Sequence, residues 1–397
     1  MPSQQEMLIN RRPDATLGPS MDRLEEAAVK LPRAPLEDWL RDYYFTADID
    51  ISSSGVEPYT FTEVRSLVGL RADHFEALDF RDSPTCGDPG LRVAIARRWD
   101  GGDPARVMVA NGSTEILFAV LTTLLRPGDE VVVVEPAYHA LCSIASAIGC
   151  RLVPWPLRFE SGFRPDVDEL ASLISPATRM VVVNFPHNPT GASLADGMAD
   201  EIADVAADVG AYLLWDAAFH ELTYADPPPA RTPTGYERAI VTGTLSKAYG
   251  LPGLRVGWCV APPDVVTGCV TVRDYTTLAL SPLVELVALR AVENADALLQ
   301  PRLAQARRNL GLLEEWIGVH QDRLAWVRPD AGVIAFPRLV DMASTDEFCD
   351  RLLHEHGVLL VPGSCFGMSE HVRLGFGGRT DELEQGLALV ERALKAA

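Results

Sequence analysis

From residue 90 onward the chain alternates between two hydrophobic textures. One is the short continuous apolar run: VMVAN (107–111), EVVVVEP (130–136), RLVPWPL (151–157), RMVVVNFP (179–186), AYLLWDA (211–217), AIVTGTLS (239–246) and RVGWCVAP (255–262). The other has apolar residues spaced for one helical face: GLRVAIARRW (90–99), STEILFAVLTTLL (113–125), YHALCSIASAIG (138–149), DVDELASLI (166–174) and a segment around 194–209. Apolar runs without polar alternation predict strands buried on both faces, and their alternation with helices predicts a parallel sheet covered on each side. The expected class is α/β. A helix is also predicted over PLEDWLRDYY (35–44), with a loop at DISSSGVEPYTF (50–61). Past residue 281 the texture becomes a long helical stretch (283–317) and then mixed strands and helices, as in a smaller α+β domain. The expected division is a large domain over 51–284, and a small domain of 1–50 and 285–397 whose first 33 residues form a loose arm.

Length supports that division, because 397 residues exceed what one hydrophobic core usually serves. A formal net charge of −20 argues against binding a nucleic-acid backbone, which needs clustered Lys and Arg. Seven cysteines with no C-x-x-C spacing predict free thiols in a reducing cytoplasm, with neither a disulfide framework nor a zinc site. His354 and His356 sit on different faces of a predicted helix, so no metal site is expected. No apolar run is long enough for a signal peptide or a membrane span.

Candidate chemistry follows the strands, because open α/β sheets bind ligands at their carboxyl ends. After VMVA comes NGSTE, where Ser113 and Thr114 open a helix and offer free N–H groups to a phosphate, or simply cap that helix. Tyr138 follows the next strand, placed to stack or to pack. HNPTG (187–191) reads as a turn that carries Asn188. Asp216 ends an apolar strand, where a charge is costly without a partner. Lys247 stands in GTLSKAYGLPGLRVGW with Thr244, Ser246 and Arg255, among turn-forming residues. One ligand would use all of these: pyridoxal 5'-phosphate, which has a phosphate, a flat ring, a phenolic oxygen, a ring nitrogen and a lysine-reactive aldehyde.

The order NFPHNPTG, an aspartate 28 residues after Asn188, SKAYGLPGLRVGW and a late VRLGFG resembles the aminotransferase class I/II family of fold-type I pyridoxal-phosphate enzymes. Within it, APLEDWLRDYYF, DISSSGV-x-x-YTF and GTLSKAYGLPGLRVGWCV are similar to capreomycidine synthases and related cyclases of hydroxylated arginine in peptide-antibiotic pathways. The resemblance implies a mostly parallel seven-stranded sheet between helices and a homodimer acting on a small amino acid. It also implies site roles. Lys247 would hold the cofactor as an imine, Asp216 would pair with its ring nitrogen, Asn188 would donate to its phenolic oxygen, and Tyr138 would stack on its ring. Ser113, Thr114, Thr244, Ser246 and Arg255 would hold the phosphate. Arg373 would bind the substrate carboxylate, and Gly55 would lie beneath the substrate. Two places depart from the usual pattern: Phe219 stands where many relatives have a tyrosine, and the stretch with Phe80, Asp82 and Ser83 lies where transaminases often have one. Asp48, Asp50, Glu57 and Asp82 are candidate partners for a guanidinium. The implied reaction is dehydration of a 3-hydroxylated L-arginine with closure of its guanidine onto Cβ. The alternatives are an aminotransferase for a basic or aromatic amino acid, and an aminotransferase-like regulator, against which the absence of a basic DNA-binding segment speaks.

Overall fold

A computed structural model describes residues 31–99, 102–224 and 232–396; most of the expected N-terminal arm lies outside them. The seven apolar runs all form strands: β1 (Val107–Ala110), β2 (Glu130–Glu135), β3 (Arg151–Pro156), β4 (Thr178–Asn184), β5 (Tyr212–Asp216), β6 (Ala239–Thr244) and β7 (Gly257–Val260). They make one sheet in the order β1-β7-β6-β5-β4-β2-β3. Only β7 runs against its neighbours. The inner strands are buried along almost their full length, as continuous Val, Ile and Leu runs require.

The single reversed strand positions the site. Because β7 opposes β6, the residues before β7 lie at the same sheet edge as the residues after β6. The register pairs Thr244 with Gly257, and Gly257 also pairs with Ala110 of β1. Ser246, Arg255 and the Asn111–Thr114 turn therefore converge at one edge. Next along that edge, Asn184 pairs with Asp216, and Asp216 with Thr242.

Some predicted helices are interrupted. YHALCSIASAIG is a single tight turn at His139–Leu141 and then a short helix, Ser143–Ile148, because Cys142 leaves helical geometry. The stretch 283–317 is two helices, Pro282–Glu293 and Ala295–Val319. They part at Asn294, whose side chain donates to the Arg290 carbonyl at 2.8 Å and competes with the next helical turn. The helix near 194–209 starts at Met198, after the αL residue Gly197.

The C-terminal segment folds into an antiparallel three-stranded sheet, with Val372–Gly375 between Ile334–Ala335 and Val361–Pro362. In the chain, helix Asp346–His356 lies between Ile334–Ala335 and Val361–Pro362, and helix Thr380–Ala396 follows the last strand. The helix Pro35–Tyr43 forms as predicted. Pro35 starts it, Glu37 and Asp38 stand in its first turn, and Arg41 stands in its last, matching the helix dipole. Leu36, Trp39, Leu40 and Tyr43 share one face by their spacing. Trp39 donates to the Leu360 carbonyl at 2.9 Å, which ties the helix to the C-terminal segment. The loop after it contributes a short strand, Ile49–Asp50, paired with Val358–Leu359.

Candidate active site

A cavity of about 380 Å³ opens at the carboxyl edge of the sheet. Ser113, Thr114, Tyr138, Asn188, Asp216, Thr244, Ser246, Lys247, Arg255 and Arg373 all line it. Gly55 does not. Its α-carbon faces the Ser246 carbonyl, 3.2 Å from where a Cβ would stand, so it packs against the backbone beside Lys247 and its neighbour Ser54 meets the cavity instead.

The Lys247 Nζ donates to Ser54 Oγ at 2.8 Å. Burial, and then the nearby charge of Arg373, push its pKa down to about 8. A substantial neutral fraction near physiological pH suits an amine that must attack an aldehyde. Asp216 is 6 % exposed. It accepts from the Thr242 hydroxyl at 3.0 Å and the Ala218 N–H at 3.2 Å, and burial raises its pKa. A carboxylate this buried, whose two direct donors are both neutral, calls for a cation, and a protonated ring nitrogen supplies one.

Asn184, absent from the sequence reading, braces this region. Its Nδ2 donates to the Asp216 carbonyl at 2.9 Å and its Oδ1 accepts from the Asn188 N–H at 2.8 Å. His187 is buried between Thr190 Oγ1 and the Pro136 carbonyl, each 2.8 Å away, and burial holds its pKa near about 4. It joins the HNPTG turn to the loop carrying Tyr138. Asn188 Oδ1 accepts from Arg373 Nη1 at 3.3 Å, so its own amide donors stay free of that contact.

The other end of the cavity is a cradle for an anion. The helix Ser113–Leu124 has no side-chain cap on its first turn, so its leading N–H groups lack intrahelical acceptors. Gly112 adopts φ +84°, and a Cβ there would stand 2.7 Å from Arg255 Nη2. A Cβ on Gly257 would stand 2.3 Å from the Ser113 nitrogen. Both glycines are required for the backbone and the guanidinium to converge. The Thr244 hydroxyl lies 3.1 Å from Ser246 Oγ and 3.1 Å from the Val256 carbonyl, so it holds the turn and orients Ser246.

Arg373 is 2 % exposed and forms no ion pair among the described residues. Its Nη2 donates to the Ser52 carbonyl at 3.0 Å, its Nε has no partner, and burial lowers its pKa to about 10. A buried guanidinium with spare donors toward a cavity is suited to a carboxylate. Phe219 also lines the cavity and offers no hydroxyl. Exposed Phe80 lies elsewhere.

Asp48, Asp50, Glu57 and Asp82 are corrected as guanidinium partners: none lines the cavity. Asp50 accepts from Ser52, Glu57 pairs with Arg302 at 2.9 Å, and Asp82 is exposed. The carboxylate that does line it, besides Asp216, is Glu37 of the helix Pro35–Tyr43. The sequence signal for it was an acid between Leu36 and Leu40 of an amphipathic helix.

Residues 74–390 match the aminotransferase class I and II family. The chain belongs to this family. It is 50% identical to the capreomycidine synthase of Streptomyces vinaceus over 92% of this chain and 94% of that one. It is 35% identical to an arginine–pyruvate transaminase of Pseudomonas aeruginosa, over 73% of this chain and 76% of that one. Among solved structures, the PLP-dependent cyclase OrfR superposes with a TM-score of 0.88 at 42% identity, covering 92% of this chain and 97% of that one. The fold is fold-type I, and the cofactor is pyridoxal 5'-phosphate. The buried Asp216, the lowered Lys247 and the glycine-lined anion cradle fit that cofactor. No helix among the described residues is long and apolar enough to cross a membrane, and none of their His, Cys, Asp and Glu side chains cluster as a metal site.

Proposed function

We propose that the chain dehydrates a 3-hydroxylated L-arginine and closes its guanidine onto Cβ, forming capreomycidine or a hydroxylated or diastereomeric relative for a peptide antibiotic. The observation that carries this reading is the 50% identity to a capreomycidine synthase across nearly the whole chain. Atoms balance as substrate minus one water. The Cβ–O bond breaks and the hydroxyl leaves with an added proton. A guanidine nitrogen bonds to Cβ and gives up a proton, and the proton removed from Cα is returned. The cofactor, when bound, supplies the electron sink that makes the Cα proton acidic.

The chain's residues divide the rest of the work. Lys247 would carry the cofactor, with Asp216 at its ring nitrogen, Asn188 donating to its phenolic oxygen and Tyr138 against its ring. The Ser113–Thr114 turn, Ser246 and Arg255 would hold the phosphate. Arg373 would fix the substrate carboxylate. Once free of the cofactor, the Lys247 amine, with a pKa of about 8, exists in both protonation states near neutral pH. It can take the Cα proton as a neutral amine and hand a proton to the departing hydroxyl, a poor leaving group without one. We read the assembly as a cytoplasmic homodimer. Seven free cysteines suit the first part of that reading, and the second rests on the family the chain belongs to.

The likeness to an arginine–pyruvate transaminase favours one rival, amine transfer from arginine. Mass spectrometry separates the two. Purified holoenzyme given 3-hydroxyarginine alone should release a product lighter by one water. Turnover only when a 2-oxo acid is added, with the amine appearing on that acid, would replace the cyclase reading with the transaminase one.

A further inference from the structure

Among the described residues, the cavity is lined by three cationic side chains and two carboxylates: Lys247, Arg255, Arg373, Asp216 and Glu37. Four of them are engaged by the cofactor and by the substrate's α-carboxylate. Glu37 is left. It forms no ion pair among the described residues: Arg33 before the helix and Arg41 on it both turn to Asp38, at 2.9 and 2.8 Å, and the charges of Lys247 and Arg373 act on it only from beyond ion-pair distance. Its described contact is the Tyr138 hydroxyl, which donates to Oε1 at 3.0 Å. Leu36 and Leu40 flank it on the helix and line the same cavity.

We propose that Glu37 is the specificity-determining residue that receives the substrate's distal guanidinium. This rests on the reading of the chain as a hydroxyarginine cyclase. A substrate held by its carboxylate at Arg373, with its Cα within reach of Lys247, must send its side chain into the remaining volume. A guanidinium buried there without a partner would be strongly disfavoured, and Glu37 is the carboxylate lining that volume that has no ion pair among the described residues. Tyr138 engages Oε1 and leaves Oε2 for the planar fork of a guanidinium. Leu36 and Leu40 offer apolar surface to the methylene carbons. Tyr138 is then a positioning residue for Glu37 as well as a wall for the cofactor.

The test is titration of the holoenzyme, followed by its visible absorbance, with L-arginine and with L-citrulline, its uncharged near-isostere. Neither has a β-hydroxyl to lose. The unmodified enzyme should prefer arginine, and Glu37→Gln should weaken arginine roughly ten- to hundredfold, the range for one charge-assisted contact. Citrulline affinity should stay unchanged, which also shows that the variant's pocket is intact. Glu37→Asp should keep part of the preference, and KM for 3-hydroxyarginine should rise more than kcat falls. Equal affinity for both ligands in the unmodified enzyme would overturn the proposal. So would an arginine preference that survives Glu37→Gln, or an equal loss for both ligands. Failure of the cyclase reading is seen separately, as 2-oxo-acid-dependent amine transfer, and leaves the arginine–citrulline comparison measurable.

Discussion

Replacing Arg373 by methionine should separate ligand binding from stability. Holding this guanidinium charged inside the protein lowers its pKa from the usual arginine value to about 10, a net penalty on the charged form of roughly 3 kcal/mol, with burial as its largest cause. Its compensation in the folded chain is two hydrogen bonds, to the Ser52 carbonyl and to Asn188 Oδ1, each worth about 1 kcal/mol net, and the face of the Phe366 ring 5.4 Å away. The two terms nearly offset, so Arg373→Met should change the stability of cofactor-free protein by no more than about 1 kcal/mol. Breaking a buried ion pair would instead cost about 3–5 kcal/mol. Substrate should feel the loss fully, because its carboxylate relieves that desolvation. About 3 kcal/mol corresponds to roughly a hundredfold weaker binding. Urea unfolding measures the first quantity, and substrate titration of the holoenzyme's visible absorbance measures the second. A destabilisation of several kcal/mol with unchanged substrate affinity would refute the reasoning and make Arg373 a structural ion.

Other residues make equally specific commitments. Asp216→Asn should fold but hold the cofactor roughly ten- to hundredfold more weakly in equilibrium dialysis, from loss of one charged contact. Phe219→Tyr should lower the pH midpoint of the bound cofactor's visible absorbance, because a new donor at its phenolic oxygen favours the deprotonated form; an unmoved midpoint sinks the idea. Lys247 in the cofactor-free protein is neutral above its pKa of about 8 and charged below it. The rate of cofactor uptake should therefore rise with pH through that value and level off above it, as stopped-flow absorbance would record. Gly112→Ala forces a side chain into φ +84° and against Arg255, so it should cost about 1–2 kcal/mol in thermal unfolding and weaken phosphate-containing ligands preferentially.

The sheet was legible because its strands are written as unbroken runs such as EVVVVE and TRMVVVN, which suit only a strand buried on both faces. The cofactor end of the cavity was legible because its residues follow those strands directly, and strand direction alone brings them to one edge. At the substrate end Arg373 was legible only through its VRLGFG motif, and Glu37 was not legible at all. Glu37 and Tyr138 touch across 101 residues of chain, and Arg373 reaches Ser52 across 321. Those contacts depend on how the helix Pro35–Tyr43 docks on the C-terminal segment, which local pattern does not encode. For the same reason, acids near the SSSG loop looked as suitable as any, although Glu57 is bound to Arg302 and Asp50 to its own turn. Asn184 was hidden as the last residue of an apolar strand, where its bracing of Asn188 depends on the register with Asp216.

The burial of His187 has a consequence for the enzyme's acid–base profile. A histidine near about 4 does not change charge anywhere in the working range, and both of its ring nitrogens are tied to the chain. The turn that presents Asn188 is thus electrically silent from mildly acidic to alkaline solution. With that scaffold fixed, substituting His187 should move the rate without moving the midpoint of a pH–rate curve near neutrality.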